Sequence, residues 1–223
     1  MKLANIKNQA FVTQAVVAIQ VIVFILMTLA GGSTNTSVLV EFGARVSVLI
    51  QDGQWWRLIT PVFLHIGLMH IVINSVTVYY IGTQIEMLFG HARFAIIYLV
   101  TAVTGNLASF VFLPNALSAG ASTAIFGLFG AFLMLGESFR TNPYIRAMSR
   151  QFLLFVVMNL AFDLFSPGID IYGHIGGLVG GFLMGYVVGA PRIGKIDLIK
   201  RFLSGIILLV AVVLFYSMGM RAN

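Results

Sequence analysis

Seven apolar runs divide this 223-residue chain, near residues 10–30, 60–88, 93–113, 121–138, 151–166, 171–190 and 201–219. A helix needs about 20 residues to cross a hydrocarbon core, so each run reads as a membrane span, the fourth and fifth at the short end. Lipid cannot satisfy an open backbone, which leaves a bundle of closed helices as the architecture. Composition agrees: hydrophobic residues make up 59% and charged ones 9%, too few polar groups to cover a water-facing surface. The expected fold is all-α, a polytopic membrane helical bundle of seven transmembrane helices forming one domain over residues 1–223. A six-span core covers about 10–190 and one more C-terminal span about 201–219, with no obvious internal repeat. The first run follows Lys2 and Lys7 as a signal peptide would, but its length and the lack of a small-residue cleavage site make it a true span.

A net charge of +6 could suit nucleic acid, but the basic residues fall in loops between apolar runs, so no nucleic-acid partner is expected. No P-loop or dinucleotide fingerprint is present, so no nucleotide is expected either. With no cysteine in the chain, disulfides, thiolate catalysis and Cys-type zinc sites are excluded. Placing the N-terminus in the cytoplasm puts Lys2, Lys7, Arg93, Arg140, Arg146, Arg150, Arg192, Lys195, Lys200 and Arg201 inside, and only Arg45, Arg57 and Arg221 outside. That bias orients a multi-pass protein of the cell membrane with its N-terminus in and its C-terminus out. The outside loop from Gly31 to Trp56 then carries apolar pieces, Val38-Leu39-Val40 and Val46 to Ile50. It is expected to dip into the interface, anchored by Trp55 and Trp56.

In this orientation the polar residues of three spans converge on one outer layer. Ser122 opens the fourth span, His174 lies a few residues into the sixth, and the second carries His65, His70 and Asn74. His70 and Asn74 are four apart and share a helix face. Each has a plain reading alone: a membrane serine bonds back to a carbonyl, and an asparagine bridges helices. His65 reads as structural at a loop–helix junction, and His91, beside Arg93, as solvated. Together they have the chemistry of acyl transfer, with Ser122 as nucleophile and His174 as base. The Ser122 amide, the Asn74 amide group and the His70 ring are candidate oxyanion donors. No acid is expected at the depth of His174, since Asp170, four residues earlier, falls near a loop; a Ser–His dyad is expected rather than a triad. Gly173, Gly177, Gly181, Gly185 and Gly189 recur every four residues opposite Gly127, Gly130 and Ala131, a pattern that lets two helix backbones touch. A metalloprotease would need His-Glu-x-x-His, and an aspartyl intramembrane protease Gly-x-Gly-Asp; neither string occurs, so no metal or other cofactor is expected.

These residues carry a family resemblance. Trp56-Arg57, His65-x4-His70-x3-Asn74, Gly120-x-Ser122 and Gly173-His174-x2-Gly177-x3-Gly181 make the chain resemble the rhomboid intramembrane serine proteases over nearly its full length. The resemblance implies Ser122 as nucleophile, His174 as general base, and His70, Asn74 and the Ser122 amide as the oxyanion hole. Phe126 takes an aromatic position that packs on the catalytic histidine, and Glu86 matches a buried structural acid. Trp56 and Arg57 are read as anchors rather than substrate contacts. Thr123 stands where the family often has glycine, a departure expected to alter substrate fit. The implied activity is endopeptidase cleavage of membrane-protein transmembrane helices near the extracytoplasmic face, with those substrates and the lipid bilayer as partners. The fifth span and the segment Phe165–Ile171 are the expected site of substrate entry. A catalytically inert binding protein and a small transporter are the rival readings; the transporter predicts inverted repeats, which the sequence lacks.

Overall fold

The computed structural model describes residues 9–166 and 168–221; Lys2, Lys7 and Pro167 of the expected entry segment lie outside the described residues. Among the described residues the α-helices are α1 (Phe11–Leu29), α2 (Thr36–Glu41), α3 (Ser47–Gln51), α4 (Leu68–Phe89), α5 (His91–Phe112), α6 (Ser122–Ser138), α7 (Pro143–Asp163), α8 (Ile171–Val188) and α9 (Leu198–Gly219). Two 3-10 turns, Trp55–Leu58 and Thr60–Phe63, lead into α4. There are no strands among the described residues, only an isolated antiparallel bridge between Arg45 and Ser118.

Five of these helices, α1, α5, α7, α8 and α9, are long and apolar enough to cross a membrane, against the seven expected. The other two expected spans differ for separate reasons. Polar side chains dilute α4, among them His70, Asn74, Gln84 and Glu86, and α6 is apolar but has only 17 residues. At 1.5 Å per residue α6 is about 26 Å long, less than a hydrocarbon core of about 30 Å.

Boundaries moved where local chemistry overrode apolar length. The second run does not start as a helix at 60: Thr60–Phe63 is a 3-10 turn around Pro61, and Gly67, at φ +80°, turns the chain into α4. The fifth starts earlier than 151 because Asn142 accepts from the Ile145 amide at 3.2 Å and Pro143 takes the first turn, where its missing N–H costs nothing. Gly189 does not extend the glycine stripe of α8; at φ +68° it caps the helix C-terminus.

α6 is buried on nearly all sides, packed most heavily on α8, then on α5, α7 and α4. Its seam with α8 is backbone on backbone. A Cβ at Gly177 would stand 2.0 Å from the Thr123 carbonyl oxygen, one at Gly181 1.9 Å from that of Gly127, and one at Gly130 2.0 Å from that of Leu178. A second small-residue stripe, Gly176 and Gly180, meets α5 the same way, against Ala108 and the Thr104 side chain. Away from this core, buried Glu86 near the end of α4 ties down the start of α1. Its carboxylate accepts from Val12 N (3.0 Å), Thr13 N (2.7 Å) and Thr13 Oγ1 (2.7 Å). His91 Nδ1 lies 2.5 Å from the same carboxylate and its ring packs on Phe11, so His91 is not the solvated side chain its loop position suggested.

The segment between α1 and α4 is a folded cap held by two buried arginines. Arg57 donates to Val40 O (2.8 Å), Ala44 O (2.9 Å) and Gln54 Oε1 (2.7 Å). Arg45, fully buried, donates to Ser47 Oγ, Ser118 Oγ, Leu113 O and Ala116 O. Burial pushes both guanidinium groups below their ordinary range, and Asp170 pulls Arg45 back up. Trp55 and Trp56 remain exposed, packed edge to face.

Candidate active site

The starts of α4, α6 and α8 and the end of α7 meet at the end of the bundle covered by this cap. Ser122 is the first residue of α6, where the leading amides have no acceptor within the helix. The chain reaches it through Gly120, whose amide donates to Pro61 O at 2.9 Å. Only glycine suits that position on two counts. Its φ is +141°, and a Cβ there would stand 2.8 Å from both Cε1 and Nε2 of His70 and 3.9 Å from Ser122 Oγ. The His70 ring and the Ser122 hydroxyl therefore flank the same glycine.

His70 is held from its other side: Nδ1 accepts from the Ile66 amide at 3.2 Å. That bond puts the proton of a neutral ring on Nε2, the nitrogen facing Gly120. Asn74, buried one turn on, donates from Nδ2 to His70 O at 2.9 Å. That bond uses one of its two amide hydrogens and leaves the other. His65 is buried in the link before α4, edge-on to His70 at 5.3 Å between ring centroids. It supports the His70 ring rather than joining the layer beside Gly120.

His174 sits in the first turn of α8, which begins under a double constraint. Asp170 caps the helix, Oδ1 accepting from Gly173 N at 2.9 Å. Its Oδ2 accepts from Ser118 Oγ at 3.0 Å and from Ser109 Oγ, and Ser118 in turn accepts from Arg45. The cap, α5 and the histidine-bearing helix are thus joined through one carboxylate. The His174 ring lies flat on Phe126, with centroids 4.2 Å apart and planes 9° from parallel. Phe126 is one turn after Ser122 and on its face of α6, so the stacking faces His174 toward the serine's side of the helix.

Two sequence expectations change here. An acid does lie at the depth of His174: Asp163 Oδ2, at the end of α7, is 2.6 Å from His174 Nδ1, and both side chains are buried. The sequence hid it because the rotation of α7 about its own axis is set by packing on α6, and no period within the run records it. Thr123 does not face the Ser122 layer. Its Cβ and methyl fill the notch between Gly105 and Gly173, where its hydroxyl has no partner among the described residues. Trp56 and Arg57 lie in the cap, Gly177 and Gly181 in the α6–α8 seam and Glu86 at the opposite end of α4, all outside the layer of Ser122, His174, His70 and Asn74.

Residues 52–191 match the Rhomboid domain, and the chain belongs to the rhomboid family. It is 42% identical over 210 residues to the rhomboid protease GluP of Bacillus subtilis, covering 94% of this chain and 41% of that protein. RHOMBOID-like protein 7 of Arabidopsis thaliana is 37% identical over 158 residues, 69% of this chain and 50% of the relative. Rhomboid-like protease 1 of Toxoplasma gondii is 40% identical over 156 residues, 67% of this chain and 52% of the relative. The chain therefore spans about half the length or less of these three proteins. Its apolar helices and family make it a multi-pass membrane protein.

Proposed function

We propose that this chain is an intramembrane serine endopeptidase that cleaves transmembrane helices of membrane proteins near the extracytoplasmic face. The observation that carries the reading is the His174 ring stacked on Phe126, one helical turn from Ser122, beside a glycine flanked by the His70 ring and the Ser122 hydroxyl. The names of two relatives, rhomboid protease GluP and Rhomboid-like protease 1, point the same way.

In this mechanism His174 Nε2 takes the Ser122 proton as Oγ attacks the scissile carbonyl carbon. The oxyanion rests on the Ser122 amide, on the free amide hydrogen of Asn74 and on His70 Nε2–H. Collapse of the tetrahedral intermediate breaks the C–N bond, and His174 gives its proton to the leaving amine. Water, deprotonated by the same nitrogen, then releases the acyl group and restores Ser122. Gly177 and Gly181 serve by holding α8 against α6, and Gly120 by admitting His70. Glu86 anchors α1, while Trp56 and Arg57 belong to the cap that bounds the site. No step calls for a cofactor. The basic-residue bias supports a plasma-membrane protein with N-terminus in and C-terminus out, and residues 1–223 read as one rhomboid-like domain of seven spans, α4 and α6 included.

Labelling by a fluorophosphonate in detergent micelles tests this directly, comparing wild type with Ser122→Ala and His174→Ala. Labelling lost in both folded variants supports the reading. Labelling untouched by Ser122→Ala ends it and favours a helix-binding protein without catalysis.

A further inference from the structure

The geometry points to Asp163 as a positioning residue for His174, completing a Ser122–His174–Asp163 triad; this rests on the protease reading above. The contact is 2.6 Å from carboxylate oxygen to Nδ1, between side chains 5% and 8% exposed. A carboxylate can only accept at that distance, so Nδ1 carries a hydrogen and the lone pair of the neutral ring is on Nε2. Stacking on Phe126 fixes the plane of the ring, and Asp163 fixes its rotation within that plane. Together they leave Nε2 as the nitrogen free to meet a hydroxyl proton. When that proton arrives, the imidazolium is paired with a carboxylate as buried as itself, and burial strengthens such a bond.

Helix stability gives no reason for an acid at this position. A carboxylate at the last residue of a helix opposes the macrodipole, and a buried acid without a partner is costly. Asp163 makes neither a cap nor a link to the Arg45 network, whose acid is Asp170. Among the described residues its side chain pairs with His174. Asp170 acts on the α8 backbone instead, so the two acids divide the work: one sets the helix, the other the ring.

The test compares Asp163→Asn and Asp163→Glu with wild type, using a cleavable transmembrane substrate, fluorophosphonate labelling, melting temperature and 15N spectra of histidine-labelled protein in micelles. In Asp163→Asn the amide can donate to Nδ1 and favour the wrong tautomer. We expect kcat and the labelling rate to fall at least about 100-fold, with KM and melting temperature little changed. The His174 resonances should move from the Nδ1–H toward the Nε2–H pattern, and Asp163→Glu should recover part of the rate. Should Asp163→Asn not fold, the wild-type spectrum decides: an Nε2–H tautomer at His174 overturns the proposal. A folded Asp163→Asn protein with unchanged kcat overturns it too. Labelling that survives Ser122→Ala would instead bring down the underlying reading, so the two failures are distinct.

Discussion

α7 and α8 both lie against α6, but in opposite ways. α8 meets it backbone to backbone, through glycines whose carbonyl partners lie about where a Cβ would be. α7 meets it through side chains: Phe152 packs tilted on Phe129 at 5.4 Å and edge-on to Phe132 at 4.6 Å, and Phe155 packs tilted on Phe129 at 5.2 Å. Leu154, Met158 and Phe162 of α7 stay exposed on the surface. α7 makes a close approach to α6 far from the site, where Ser149 Oγ donates to Phe132 O at 3.0 Å beside Gly136. Near the site it touches α8 little, and its polar tie there is Asp163 to His174. A glycine seam has one register and no rotamers to adjust, so it fixes the distance between two helices. An aromatic contact can slide and repack. The serine and histidine are on the first kind of contact, the acid that orients the histidine on the second.

The contrast can be broken most severely at the seam. Gly181→Ala sets a methyl 1.9 Å from a backbone oxygen that cannot move aside alone. We expect a loss of about 3 kcal/mol or more in an unfolding titration, with activity abolished; a stable, active variant would mean the seam is looser than its geometry. Next comes Arg45→Ala, which leaves four acceptors without their buried donor and takes away the positive charge that faces half-buried Asp170. The expected cost is on the order of 3 kcal/mol by the same titration. Phe126→Leu keeps an apolar side chain but not the flat face under His174. It should cost about 1 kcal/mol of stability and slow fluorophosphonate labelling, leaving the labelled residue unchanged. Thr123→Val removes a buried hydroxyl without a partner at nearly constant shape, so melting temperature should hold or rise by a few degrees. On α7, Leu154→Ala and Met158→Ala should change stability by no more than about 0.5 kcal/mol. A larger loss there would show α7 to be as firmly seated as α8.

Much of this was legible in the sequence because membrane solvation is a one-dimensional constraint: apolar length and charge bias act along the chain. The helical class, the α8 stripe and the layer holding Ser122, His174, His70 and Asn74 follow from spacing and depth. The stripe needs no side-chain detail, since a missing Cβ every four residues is visible directly. Its last member, Gly189, was the exception, because a terminal glycine serves the helix end by its positive φ rather than the seam.

What the tertiary structure alone decided is everything that depends on how a helix is rotated about its axis or on which distant residues meet. Asp163 faces His174 because α7 leans on α6 through phenylalanines. Arg45 is buried because Ser118 and the Leu113 and Ala116 carbonyls surround it. Thr123 turns into a notch between glycines of α5 and α8. A sequence period tells which side chains share a face, but the partner of that face is chosen by packing, where shape and hydrogen bonding are settled between elements far apart in the chain.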